Sequence, residues 1–160
     1  MRCGLALSVM GLLAVGAASA ALADASDGLA RDARRYVGCL KAFDARCLMS
    51  IMYLKPQQDR GATDNQIFRR IDQQLKSSRE MGARYTRFDL QDPWDPLPLG
   101  GLLVAFVPYE SDLELRYRTG FATTSYLVGI SEDEGATWRF VDGTGLSDDD
   151  LASALPGFSG

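Results

Sequence analysis

The chain has 160 residues, 46% of them hydrophobic, with 17 Lys/Arg against 21 Asp/Glu and no histidine. Without histidine there is no Ser-His-Asp or Cys-His catalysis and no histidine metal site, so any chemistry must rest on carboxylates, tyrosines, lysine or backbone. A net charge of −4 makes nucleic acid a poor partner.

Residues 1–23 read as a secretory signal peptide: Arg2 supplies the positive charge, residues 4–15 the apolar stretch, and Ala18, Ala20, Ala21 and Ala23 the small residues before a cleavage point. The apolar stretch is shorter than the ~20 residues of a membrane span. Cleavage is expected after Ala20 or Ala23, and Ala23 is preferred because residues 21–23 form an A-x-A site before Asp24. The remaining 137 residues, 24–160, are expected to form one exported domain, periplasmic or secreted, with no membrane span. Losing Arg2 leaves 16 basic against 21 acidic residues, a net charge of −5. Residues 24–83 carry 11 basic and 8 acidic side chains, and residues 84–160 carry 5 and 13; ordinary solvation accounts for the asymmetry more simply than steering of a charged partner.

Leu29, Ala33, Tyr36, Val37 and Leu40 recur at helical spacing and predict an amphipathic helix over residues 25–43. Arg31, Arg34 and Arg35 could bind an anion, but a solvated helix face with Asp27 one turn before Arg31 is the simpler reading. Asp44 is an N-cap for a second short helix over residues 45–53, and residues 55–62 read as a polar loop. Cys39 and Cys47 lie eight residues apart, which along one continuous helix would be ~12 Å, beyond the ~7 Å that a disulfide tolerates. A turn at residues 41–44 permits the bridge, and an exported location favours it over a redox pair, since C-x7-C lacks the compact C-x-x-C spacing.

Thr63 and Gln66 have capping-box spacing, Ile67, Phe68, Ile71 and Leu75 make a stripe, and Gly82 closes a third helix long enough to pack across a sheet. Residues 83–90 read as a first strand, followed by a loop in which Pro93, Pro96 and Pro98 oppose regular pairing. Strands are predicted from Leu102, from Leu113 and over residues 121–130, with turns near residues 110–112 and at residues 119–120. The segment SEDEGATW, residues 131–138, turns the chain into a last strand over residues 138–142. A short terminal helix capped at Ser147 or Asp148 ends before Pro156.

The resulting class is α+β: N-terminal helices on a curved antiparallel sheet of about five strands, with a short C-terminal helix. The signal peptide, the run YVGCLKAFD at residues 36–44 leading to IMYLKP at residues 51–56, and the ending SYLVGISEDEGATWRFVD together resemble small exported proteins of the nuclear transport factor 2-like (cystatin-like cone) superfamily. That resemblance covers most of residues 28–157 and implies a fold and a compartment, with no particular activity.

The pattern S-x-D-x-G-x-T-W also resembles the Asp-box of sialidase propellers. A propeller needs the motif in several blades of ~40–50 residues each, and one copy is present, so sialidase-like activity is rejected. Ser131, Asp133, Gly135 and Trp138 are read instead as a structural turn. A cone-fold enzyme of isomerase or dehydratase type, using carboxylate plus tyrosine, is the alternative to a non-catalytic domain that binds a small ligand or a protein or cell-envelope partner. Tyr36, Tyr85, Trp94 and Tyr117 are the candidate ligand-binding residues. No catalytic residue is assigned and no cofactor is implied; Asp148, Asp149 and Asp150 lack the alternating spacing and glycine of a calcium loop, so no metal is assigned. A homodimer is compatible with the chain.

Overall fold

The computed structural model describes residues 14–116, 118–144, 152 and 155, with side chains from residue 24 onward except at 118 and 119. Four helices precede the sheet: α1 (Ala14–Lys41), α2 (Ala45–Ile51), α3 (Lys55–Asp59) and α4 (Asp64–Glu80). Five strands follow: β1 (Arg84–Leu90), β2 (Leu97–Leu99), β3 (Leu102–Leu115), β4 (Arg118–Ser131) and β5 (Arg139–Asp142). The class is that expected, α+β with N-terminal helices on an antiparallel sheet. Among the described residues no helix is long and apolar enough to cross a membrane. The terminal helix expected after Ser147 lies almost wholly outside the described residues, although Ala152 is helical and Leu155 is buried.

Helix α1 extends further towards the N-terminus than its apolar period indicates, through alanine-rich sequence of high helix propensity. Its buried face is Ala25, Gly28, Leu29, Asp32, Ala33, Tyr36, Val37 and Cys39, a stripe at helical spacing that lies on the inner face of the sheet. Helix α4 packs on α2 rather than across the sheet, so α1 is the helix that fills the concave side. Both ends of α4 follow the sequence signals. Thr63 and Gln66 form the reciprocal capping box, and Gly82, at φ +69°, closes a Schellman turn in which the Ala83 amide donates to the Ser78 carbonyl at 2.9 Å.

The corner between α1 and α2 is a built one. The Asp44 carboxylate accepts from the amides of Arg46 and Cys47 at 3.0 Å, and the Cys39–Cys47 disulfide spans Cα atoms 5.4 Å apart. Phe43 sits at φ +50°, a left-handed conformation that costs an L-residue roughly 1–2 kcal/mol. A disulfide closing so short a loop contributes about 2–3 kcal/mol on the chain-entropy model, enough to hold that turn. Arg79 of α4 adds donors to the carbonyls of Ala42 and Phe43, both at 2.9 Å, satisfying groups left open at the end of α1.

Four features of the chain differ from the sequence reading. Residues 55–62 contain the single-turn helix α3, begun by Pro56 in its first turn, where a missing N–H costs nothing. No turn interrupts residues 110–112: β3 runs through them, pairing Glu110 with both Asp89 and Thr124. The acids there are outward residues of a long strand, matched by Arg87, which lies 3.2 Å from Glu110 and 2.9 Å from Asp112. Pro98 lies within β2, which is possible because β2 pairs only with β3 and its other edge needs no donor. β3 ends at Leu115 and β4 begins at Arg118, so Gly120, expected in the turn, instead lies within β4 at a register shift where a Cβ would come within 2.5 Å of the Leu113 carbonyl oxygen.

The sheet order is β1-β3-β4-β5, with β2 beside β1 along the same side of β3. The free edge of β5 is covered by the α2–α3 connection, where Met52 bridges to Phe140 and the Tyr53 amide donates to the Phe140 carbonyl at 2.9 Å.

Residues 131–138 form the turn that the sequence reading proposed, and they dock it on α1. The Ser131 hydroxyl accepts from the Gly135 amide at 2.8 Å and donates to Asp133 at 2.8 Å. The other donors to Asp133 are the Thr137 amide at 2.9 Å and the Thr137 hydroxyl at 2.7 Å. Chiefly through Thr137, these bonds hold the Asp133 carboxyl below the usual carboxylate range. Gly135 adopts φ +94°, and a Cβ there would lie 2.4 Å from that of Ala25. The indole N–H of Trp138 donates to the carbonyls of Ala25 and Gly135, both at 3.1 Å, and its backbone N–H donates to buried Asp32 at 3.1 Å.

The corner is open to a direct check. Replacing Cys39 and Cys47 together by serine is expected to lower unfolding free energy by about 2–3 kcal/mol in urea denaturation; stability equal to that of the oxidised wild type would show that the bridge contributes nothing.

Candidate functional site

A cleft of about 410 Å³ opens between α1 and β1. Ala30, Ala33 and Val37 form its helical wall, and Phe88, Leu90 and Val107 its apolar floor. The sequence makes this space in two ways. Alanines on the α1 face withhold side-chain volume, and an extra residue between Tyr85 and Arg87 shifts the register of β1, so that Tyr85, Phe88 and Leu90 all pack towards the helices. Beyond β1 the chain continues along β3, with the Gln91 amide donating to the Pro108 carbonyl at 2.8 Å and that of Trp94 to Phe106 at 2.9 Å. That tether fixes the polar lip formed by Asp89, Gln91, Asp92 and Pro93.

The three arginines of α1 have different fates. Arg31 pairs with its neighbour Asp32 at 2.9 Å rather than with Asp27, and Arg35 donates to the Ser50 hydroxyl at 3.1 Å. Arg34 lines the cleft, exposed and with no hydrogen-bond or ionic partner among the described residues. A volume of this size, an apolar floor and one uncommitted guanidinium suit a small ligand with an apolar body and a polar head.

A second polar arrangement lies deeper. The Tyr109 hydroxyl donates to Asp142, 3.0 Å from the nearer carboxylate oxygen, and lies 3.0 Å from the Thr144 hydroxyl, which donates to Ser125 at 3.1 Å. The Thr144 amide also donates to Asp142 at 2.9 Å. Burial pushes the Tyr109 phenol up to about 12, with the neighbouring Asp142 charge acting in the same direction. Burial pushes Tyr36 and Tyr85 up as well, and Asp142 adds to both. These phenols are neutral donors at physiological pH. The carboxylate that the isomerase-like reading requires is therefore present beside a tyrosine, but Tyr109 and the Thr144 amide already hold it, which leaves it poorly placed as a base.

The sequence-derived ligand residues are not brought together. Tyr36 is 4% exposed, its ring 5.8 Å from that of Phe140 in the core. Tyr85 is half-buried between Phe43 and Phe88, with ring centroids 6.1 and 5.5 Å away. Trp94 is 63% exposed and stands against Phe106 on the opposite, outer side of the sheet, 5.5 Å away. Tyr117 lies outside the described residues. Sequence reasoning weighed Arg34 as an anion contact but assigned it to a solvated helix face, and it passed over Gln91 and Asp142. For Arg34 the available signal was its place beside the stripe formed by Ala33 and Val37, a boundary position from which a long side chain overhangs an apolar wall. The chain matches no protein-family model and no curated protein.

The phenol network sets an alkaline limit on stability. The Tyr109 pKa is higher in the folded chain than the unfolded value of about 10, so its contribution is full below pH 10 and declines as pH rises towards about 12. Tyr109→Phe is expected to shallow the fall of unfolding free energy between about pH 10 and about pH 12, measured by urea titration. An unchanged slope would place Tyr109 outside that transition.

Proposed function

We propose that this chain is an exported, non-catalytic domain of the nuclear transport factor 2-like type, which binds a small ligand in the cleft between α1 and β1. The observation that carries this reading is the pairing of an apolar floor of Phe88, Leu90 and Val107 with Arg34, the one α1 arginine without a partner among the described residues. Export is supported by the Cys39–Cys47 bridge, which persists in oxidising compartments, together with the signal-like residues 1–23. The cone-like type is supported by α1 lying on the concave side of the antiparallel sheet.

A histidine-independent isomerase or dehydratase is the second reading, favoured by the 3.0 Å approach of Tyr109 to Asp142. It ranks below binding because the donors to Asp142 complete a structural network.

Fluorescence titration with 8-anilinonaphthalene-1-sulfonate, which has an apolar body and an anionic group, tests the binding reading. Saturable one-to-one binding is expected, weakened about tenfold by Arg34→Ala and by Ala30→Phe, the latter filling the cleft without touching the core. Equal affinity in both variants and wild type would overturn it.

A further inference from the structure

The Tyr53 side chain is 3% exposed, and its hydroxyl is the one buried side-chain polar atom among the described residues with no hydrogen-bond partner. Buried hydroxyls are almost always satisfied, so an orphan needs a reason. Packing supplies none: the ring sits among Val104, Val128, Ile130 and Leu155, where a phenylalanine would serve as well. Tyr53 is also held in place, because its amide donates to Phe140 along the edge of β5.

Tyr53 lines a cleft of about 560 Å³ between α2, α3 and the β4–β5 hairpin, which shares no residue with the cleft at Arg34. Around it stand Lys55 and Arg139, both cationic, and Asp59 and Glu132, both anionic. All four are exposed, and none makes an ion pair or side-chain hydrogen bond among the described residues. Their neighbours are committed elsewhere: Gln58 donates to Asp64 at 2.8 Å and Ser50 to the Cys47 carbonyl at 2.7 Å. Burial raises the Tyr53 pKa first, Glu132 and Asp59 raise it further and Arg139 opposes them. The hydroxyl is therefore a fixed neutral donor beside uncommitted charges of both signs.

We propose that this cleft is a second ligand site, which takes a small zwitterion of the free α-amino-acid class. The ligand carboxylate accepts from the Tyr53 hydroxyl and pairs with Arg139, while its ammonium lies between Glu132 and Asp59. Charge-assisted hydrogen bonds of this kind are shorter and stronger than neutral ones, and a zwitterion satisfies both signs where a simple anion or cation would leave one set unpaired. The Tyr53 hydroxyl is closed to solvent in this structure, so the ligand reaches it when the exposed Lys55 and Arg139 side chains, which hold no partner, turn to admit it.

Isothermal titration and melting curves with the twenty free L-amino acids, then with N-acetyl and carboxamide analogues of any that bind, test the assignment. At least one free amino acid is expected to bind and raise the melting temperature, and blocking either end is expected to weaken binding tenfold or more. Tyr53→Phe is expected to lose binding by a similar factor while melting at or above the wild-type temperature, since the orphan hydroxyl is gone. Arg34→Ala is expected to leave amino-acid binding intact, which separates this site from the first cleft. Absence of binding by every free amino acid, equal binding of the N-acetyl analogue, unchanged binding by Tyr53→Phe, or a lowered melting temperature in that variant would each overturn the proposal.

Discussion

Asp32 is an acid placed in the apolar stripe of a helix, and the way its charge is satisfied organises the molecule. Its carboxylate accepts the Trp138 backbone N–H at 3.1 Å and the Arg31 guanidinium at 2.9 and 3.1 Å. Losing either partner would leave a buried charge poorly compensated, a penalty of roughly 1–3 kcal/mol per unmade bond. The Trp138 bond forms only if the turn at residues 131–138 comes into backbone contact with α1. Two glycines permit that approach. A Cβ on Gly28 would lie 3.0 Å from the Gly135 carbonyl oxygen, and one on Gly135 would overlap Ala25. A third, Gly129 of β4, makes room for Leu29, whose Cδ1 would be 2.8 Å from an added Cβ. The helix is thus fixed to the sheet by a polar clamp at one point and by close packing at the next turn.

Once α1 is held there, the rest of the inner face follows. Ala33 and Val37 stand over Phe88 and Val107 at the distance that leaves the Arg34 cleft, and Tyr36 is pressed on Phe140. At the far end of α1 the disulfide and Arg79 hold the corner into α2, whose exit covers the edge of β5 and delivers Tyr53 to its cleft. The two clefts of this clamped helix–sheet unit share no residue, and the turn contributes to only one of them. The acids of SEDEGATW are spent as follows: Asp133 holds the turn, while Glu132 faces the Tyr53 cleft.

What the sequence made legible was local. Asp44, Thr63, Gln66 and Gly82 declare helix ends through hydrogen bonds made within a few residues, and each does what its position suggests. Gly135 and Asp133 likewise act inside one turn. The failures involve partners distant in sequence. Glu110, Ser111 and Asp112 read as turn formers until Arg87 is placed opposite them. Pro98 reads as a strand breaker until its strand proves to be an edge. Asp32 carried a visible sign, an acid three residues after Leu29 and four before Tyr36, but its partner is 106 residues away. Arg34 and Tyr53 are functional candidates because of bonds they do not make, and a missing bond leaves no trace in sequence.

The central claim is that the Asp-box-like turn is a clamp on α1. Hydrogen exchange of Gly135→Ala against wild type tests it most directly, because the substitution strains φ and drives the turn off Ala25 without removing a hydrogen-bonding group. Protection is expected to fall together in residues 25–33 of α1, in β5 and in the turn. Loss confined to residues 131–138, with α1 as protected as in wild type, would show that the helix is held by its packing alone and would contradict the claim.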